Sequence, residues 1–221
     1  MAQDNQECVK KLKLLHRAAN DRFDRIGYKF LRKLYPLIKN WTGRHPNLLD
    51  TFQHEEIDWL LKEAAKNIDN AMNLRFVKFV VRSGYTDEQP PRLVEDGNPI
   101  SRRTTALHYV NGCNPEFVRC LFDIYARFDV NYTNEDGLTH FHLAFKYGLK
   151  HVVKKFLELD QDPNCLVRDT EYSPLYFAAR YSRSKIVAEM LLRAGADPNL
   201  ANAKGQTILH VICQSDRDQI E

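Results

Sequence analysis

The chain has 221 residues, 43% of them hydrophobic and 28% charged, enough apolar side chain for one packed domain or repeat array plus an extension, and too much for disorder to dominate. No apolar run approaches the roughly 18 residues of a membrane span, and Met1-Ala2-Gln3-Asp4 opens neither a signal core nor a myristoylation site, so an intracellular protein, cytoplasmic or nuclear, is expected. The formal charge of +3 is unevenly spread: residues 1–50 hold 11 Lys/Arg against 5 Asp/Glu, and the remainder is net negative.

Leu12, Leu15, Ala19, Phe23, Ile26, Phe30 and Leu34 recur every three or four residues, which places them on one face of a helix that Pro36 is expected to end. Lys10, Lys11, Lys13, Arg17, Arg22, Arg25, Lys29, Arg32 and Lys33 fill much of the rest. Residues 1–50 therefore read as a basic amphipathic helical segment. Three roles are open to it: capping the structure that follows, docking as a helix into a partner, or binding an anionic membrane or nucleic acid. Capping leads, because Phe23, Phe30 and Tyr35 suit burial and few aromatics sit among the basic positions as a stacking platform requires. Neither a membrane nor a nucleic acid is expected as a partner.

Residues 51–100 carry two weaker signals, Ala64-Ala65 and Phe76-Val77-x-x-Val80-Val81-Arg82-Ser83-Gly84. Thr86 to Arg103, with two adjacent prolines and several charges, is expected to be a long exposed loop.

Residues 101–221 repeat. Thr105-Ala106-Leu107-His108, Thr139-His140-Phe141-His142, Ser173-Pro174-Leu175-Tyr176 and Thr207-Ile208-Leu209-His210 begin 34 positions apart, three times running. Asp129-Val130-Asn131, Asp162-Pro163-Asn164 and Asp197-Pro198-Asn199 recur in phase with them. A hydroxyl at the head of each phrase can accept from free N–H groups of a first helical turn, and Pro174 stands where a missing N–H costs nothing. Nine residues after each head come Asn114, Gly148, Ser182 and Asp216, placed to end a short helix in the left-handed conformation that Gly and Asn tolerate. A second helix follows, on Phe117, Val118, Leu121 and Phe122, on Val152, Val153, Phe156 and Leu157, and on Ile186, Val187, Met190 and Leu191. Gly195, Pro163, Pro198 and Asp136-Gly137 then form extended loops to the next head.

Thr-x-Leu-His-x-Ala, followed by Gly, Val-Val, Leu-Leu and Gly-Ala-Asp-Pro-Asn, resembles the ankyrin repeat, and Ser173 to Asn199 lies close to its consensus. The resemblance implies an all-α ankyrin-repeat solenoid with a basic N-terminal helical extension, divided as 1–50, a degenerate repeat and loop over 51–100, and four repeats over 101–221, the last incomplete. Only a few residues follow Cys213, so Ile208, Leu209 and Val211 are expected to lack half their cover, either because the chain is a fragment or because a partner caps it.

His108, His140, His142 and His210 suggest metal chemistry, and stacking would bring His108, His142 and His210 into register. No carboxylate or Cys shares their spacing, and Tyr176 at the same phase shows that no ligand is demanded. In ankyrin repeats this histidine is structural, hydrogen-bonding adjacent units. Cys8, Cys113, Cys120, Cys165 and Cys213 form no zinc-like pattern and read as reduced thiols. No nucleotide-binding glycine loop, zinc-protease His pair or nucleophile elbow occurs. No catalytic, cofactor-binding or metal site is expected.

The resemblance implies protein–protein recognition by a monomer through a concave surface. The seventh and eighth residues after two heads, Lys146-Tyr147 and Arg180-Tyr181, and the loop tips Glu135, Asp136, Asp169, Thr170 and Lys204 are the candidate contact residues. Tyrosine beside a cation suits an acidic or carboxylate-bearing peptide. The alternative the family offers is an adaptor for ubiquitin ligation or an inhibitor of a transcription factor, although no F-box-like or SOCS-box-like helix pair is present.

Overall fold

The computed structural model describes residues 2–19, 23–41, 43–67, 70–87, 102–182 and 184–217, and every regular element among them is helical. Most of the expected Thr86 to Arg103 loop lies outside the described residues. The chain divides into two compact units, Met1–Glu88 with Thr105–Ala126, and Gln89–Thr104 with Arg127–Glu221.

The first unit is built on a helix pair, α3 (His54–Lys66) and α4 (Asn70–Arg82). The basic segment in front of it forms two helices, α1 (Ala2–Ala19) and α2 (Phe23–Ile38), where the periodicity predicts one. A continuous helix from Leu12 to Leu34 would span about 33 Å, against roughly 20 Å for α3, so an unbroken rod would overhang the surface it has to cover. As two helices packed on each other, both halves bury their apolar face, and Leu12 and Leu34 are 1% and 2% exposed. Pro36 does not end the helix at once but lies within its last turn. There its ring removes only the bond to the Arg32 carbonyl, and the helix stops two residues later.

α2 packs on both α3 and α4. Gly27 permits the approach, since a Cβ there would sit 2.7 Å from Glu63 Cγ and from Trp59 Cη2. Close packing thus offsets the roughly 1 kcal/mol that glycine costs inside a helix. Phe30 meets Phe52 edge-on with ring centroids 6.1 Å apart, and from α1 His16 reaches Glu56 of α3 at 3.0 Å. The basic segment thus packs on the first helix pair, the position that the capping role requires.

Beyond that pair come a 3-10 turn, Ala106–Tyr109, and α5 (Pro115–Ile124). The turn stacks on α3 and α5 on α4. Thr105 heads only this single turn, because the chain reverses at Gly112 (φ +78°), two residues before the position expected from the period. Asn114, expected to be left-handed, is instead extended (φ −60°, ψ 138°) and caps α5, its Oδ1 accepting from the Glu116 N–H at 2.7 Å. Tyr125, buried at the end of α5, donates its hydroxyl proton to Asp58 of α3.

The second unit contains α6 (His140–Lys146) and α7 (Lys150–Leu157), α8 (Pro174–Phe177) prolonged by a π-helical turn Ala178–Ser182, α9 (Lys185–Arg193), and α10 (Ile208–Arg217). First helices stack on first helices, α6 on α8 and α8 on α10, and α7 stacks on α9. Only Gly148 (φ +61°) ends its helix in the left-handed region as expected. Ser182 instead completes the π turn, its hydroxyl donating to the Ala178 carbonyl at 2.9 Å, and Asp216 lies within α10.

Val153, Phe156, Val187 and Leu191 are buried on the second helices as the pattern requires, whereas Ile186 faces outward, 53% exposed. At the last head Leu209 is exposed, but Val211 is covered, 5% exposed, contrary to expectation. The stacked α8 and its π turn supply that cover from below. No described helix is long and apolar enough to cross a membrane.

Candidate functional site

The head phrases assemble as hydrogen-bonded caps. Thr139 Oγ1 accepts from the His142 N–H at 3.2 Å, and the Thr139 N–H donates to His142 Nδ1 at 3.2 Å. The other ring nitrogen, Nε2, donates to the Cys165 carbonyl at 3.0 Å, in the loop leading to the next head. His142 therefore ties one repeat to the next, with both nitrogens occupied. Thr105 with His108 and Thr207 with His210 repeat the inner half of this arrangement at 3.0 and 3.3 Å. At Ser173 the hydroxyl accepts from the Tyr176 N–H at 3.3 Å, and the Tyr176 ring turns to a different use.

Burial holds the His142 imidazole down at about 4. The unfolded chain takes up that proton near pH 6.5. His142 thus contributes its full stability above about pH 6.5, and loses it as the pH falls from there through about 4, on the order of 3 kcal/mol in all. Denaturation midpoints measured between pH 8 and pH 4 should fall across this window. His142→Gln, neutral throughout, should make the fall shallower; an unchanged slope would remove His142 as its cause. Cys165, beside this ring, has its thiol pushed up to about 12 by burial, which leaves it inert.

The Asp-x-Asn phrases link the loops. Asp162 Oδ1 accepts from the Asn164 N–H at 2.9 Å, and Asn164 reaches the following repeat, donating to the Gly195 carbonyl at 3.1 Å and accepting from the Asp197 N–H at 2.8 Å. The loop tips are bonded in a row as well. The Arg168 N–H donates to the Asp136 carbonyl at 2.9 Å, and the Ala203 N–H to the Thr170 carbonyl at 3.1 Å. Backbone bonding of this kind leaves the side chains of Glu135, Asp136, Asp169 and Lys204 exposed. The Thr170 hydroxyl is buried instead.

Of the residues at the ends of the first helices, Lys146 and Tyr181 come together: Lys146 Nζ lies 5.1 Å from the Tyr181 ring centroid. Lys146 is half-buried, and that burial lowers its pKa. Arg180 is exposed beside it, Tyr181 is 48% exposed, and Tyr147 is half-buried at the end of α6. Tyr181 continues an aromatic run. Tyr172 and Tyr176 stack flat at 3.8 Å, Tyr176 meets Phe177 edge-on at 6.1 Å, and Phe177 stacks on Tyr181 at 5.7 Å. Burial and the bond to Tyr172 raise the Tyr176 pKa, so its phenol stays neutral.

Compared with models of known families, the chain matches ankyrin repeats, three copies, over residues 142–220. Residues 142–220 are ankyrin repeats. Ankyrin repeats are generally protein–protein interaction modules and perform no catalysis. In these ankyrin repeats the sequence pattern singles out Lys146, Arg180 and Tyr181 as candidates, and does not single out Tyr172 and Tyr176, which stack next to Tyr181's neighbour Phe177. The signal was available: Tyr176 stands where the other heads carry His, and a ring that cannot accept the head residue's N–H is free to stack.

Proposed function

We propose that the repeats of the second unit bind a partner protein through the face that carries Lys146, Tyr147, Arg180 and Tyr181, with the loop tips Glu135, Asp136, Asp169, Thr170 and Lys204 at its edge. The observation behind this reading is the four-ring run from Tyr172 to Tyr181, ending in a half-exposed tyrosine flanked by a half-buried lysine and an exposed arginine. Rigid aromatic area with little rotamer entropy to lose, next to cations, is the composition of a binding hot spot. The matching chemistry is an acidic or carboxylate-bearing segment of the partner.

Arg180→Glu combined with Lys204→Glu tests this. Both side chains are exposed, so melting should shift by less than about 0.5 kcal/mol. Lys146 is left intact because its packing over Tyr181 makes it part of the fold. Affinity capture compared quantitatively between the native chain and the double variant should show the partner lost or weakened about tenfold or more. Undiminished capture by the folded variant would reject this face.

A further inference from the structure

Lys39 and Arg44 follow α2, whereas Arg75 and Arg82 lie on α4. In the first unit Lys39 and Arg44 flank the half-buried Trp41 in sequence, and Arg75 reaches the backbone of the same segment from α4. Trp41 packs edge-on against Phe79 at 5.3 Å, and the His45 ring lies 5.3 Å from Phe79 and 6.2 Å from Trp41. Trp41 Nε1 donates to the Arg44 carbonyl at 3.3 Å, and Arg75 Nη1 donates to the Lys39 carbonyl at 3.2 Å. Arg75, Phe79 and Arg82 share one face of α4, being four and then three residues apart. His45 senses the local field: burial first, then the Arg82 charge, lowers its pKa.

All four cations are exposed, and none is in an ion pair among the described residues. Lys78, nearby on α4, is by contrast engaged by Glu116 at 2.6 Å. The apolar face of α2 is spent inward on Phe30, Leu31, Leu34 and Ile38, so it cannot insert into a bilayer. What this end of the first unit presents is fixed positive charge around an indole.

We propose that Lys39, Arg44, Arg75 and Arg82 around Trp41 form a second docking surface, which takes an acidic segment of a partner protein. Carboxylates would pair with the cations, and an apolar side chain between them would rest on the indole. Guanidinium groups match carboxylates with two parallel hydrogen bonds. Arg75 and Arg82 lie about 10 Å apart along the helix axis, the span of roughly three residues of extended peptide. This surface lies in the first unit and does not depend on the face proposed for the second.

The test uses the full chain carrying Arg180→Glu with Lys204→Glu, which removes the face proposed for the second unit, and a short fluorescein-labelled peptide of repeating Glu-Glu-Leu, followed by anisotropy at physiological ionic strength. Saturable binding is expected, with none to the Gln-Gln-Leu counterpart. Arg75→Glu with Arg82→Glu should weaken it about tenfold or more, and so should the milder Lys39→Gln with Arg44→Gln, which guards against misfolding of the first variant. Lys185→Glu with Arg193→Glu, the same charge change on α9, should leave it unaltered. Absence of binding by the parent chain, binding by both patch variants as tight as the parent's, or tighter binding of a single-stranded oligothymidine of equal charge would overturn the proposal.

Discussion

Replacing Gly148 by valine should destabilise the second unit by about 2–4 kcal/mol, more than any single cap. Two terms add: a β-branched residue at φ +61° costs on the order of 1–3 kcal/mol, and its Cβ would lie 3.2 Å from Ser182 Cβ of the next repeat, forcing the stacked helix ends apart. Gly195→Val separates these terms, because φ is +91° there but nothing lies within 4 Å of the added Cβ. It should show the backbone cost alone. Thr139→Ala, which removes one cap, should cost about 0.5–2 kcal/mol. Chemical denaturation of the three variants measures this order. Equal, negligible effects at Gly148 and Thr139 would contradict the repeat phase.

Deleting residues 1–50 should have a still larger effect. It removes α1 and α2, and with them Leu12, Phe30, Leu31, Leu34 and Ile38, all buried. Each such side chain contributes about 1.5–3 kcal/mol when fully buried. The sum is comparable with the whole net stability of an ordinary domain, about 5–15 kcal/mol. The exposed flank of α3 and α4 should then bind a hydrophobic dye, solubility should fall, and melting of the first unit should broaden or disappear. An unchanged melting curve for the shortened chain would mean that the helix pair needs no cap.

The 34-residue period reads directly from the sequence because each head combines a capping hydroxyl with a ring or proline at fixed offsets, and those offsets are local chemistry. The same logic explains what the period misplaces. At Thr105 the turn comes two residues early, at Gly112, because the extended Asn114 already begins the next helix. Near Ser182 the chain inserts a π turn that no spacing announces. In the basic segment the 3.6-residue periodicity runs straight across two helices, since their apolar faces meet the same core, and periodicity alone carries no information about a break.

Part of the candidate surface follows from sequence as well. Arg180 and Tyr181 stand out because they repeat Lys146 and Tyr147 one period earlier. The stacking of Tyr172 on Tyr176 does not, because it depends on the loop entering α8 at an angle set by tertiary packing. Lys39, Arg44, Arg75 and Arg82 likewise show nothing in sequence that joins them; only the docking of α2 onto α4 does.

Site-specific photocrosslinking in cells, with a benzophenone amino acid at Tyr181 and, separately, at Ile186 on α9, shows which face of the second unit meets a partner protein. Both side chains are about half exposed, so accessibility is matched and only the face differs. A discrete crosslinked partner is expected from position 181, absent from position 186 and lost when Arg180→Glu and Lys204→Glu are present. Crosslinks from position 186 with none from 181 would contradict the proposed face.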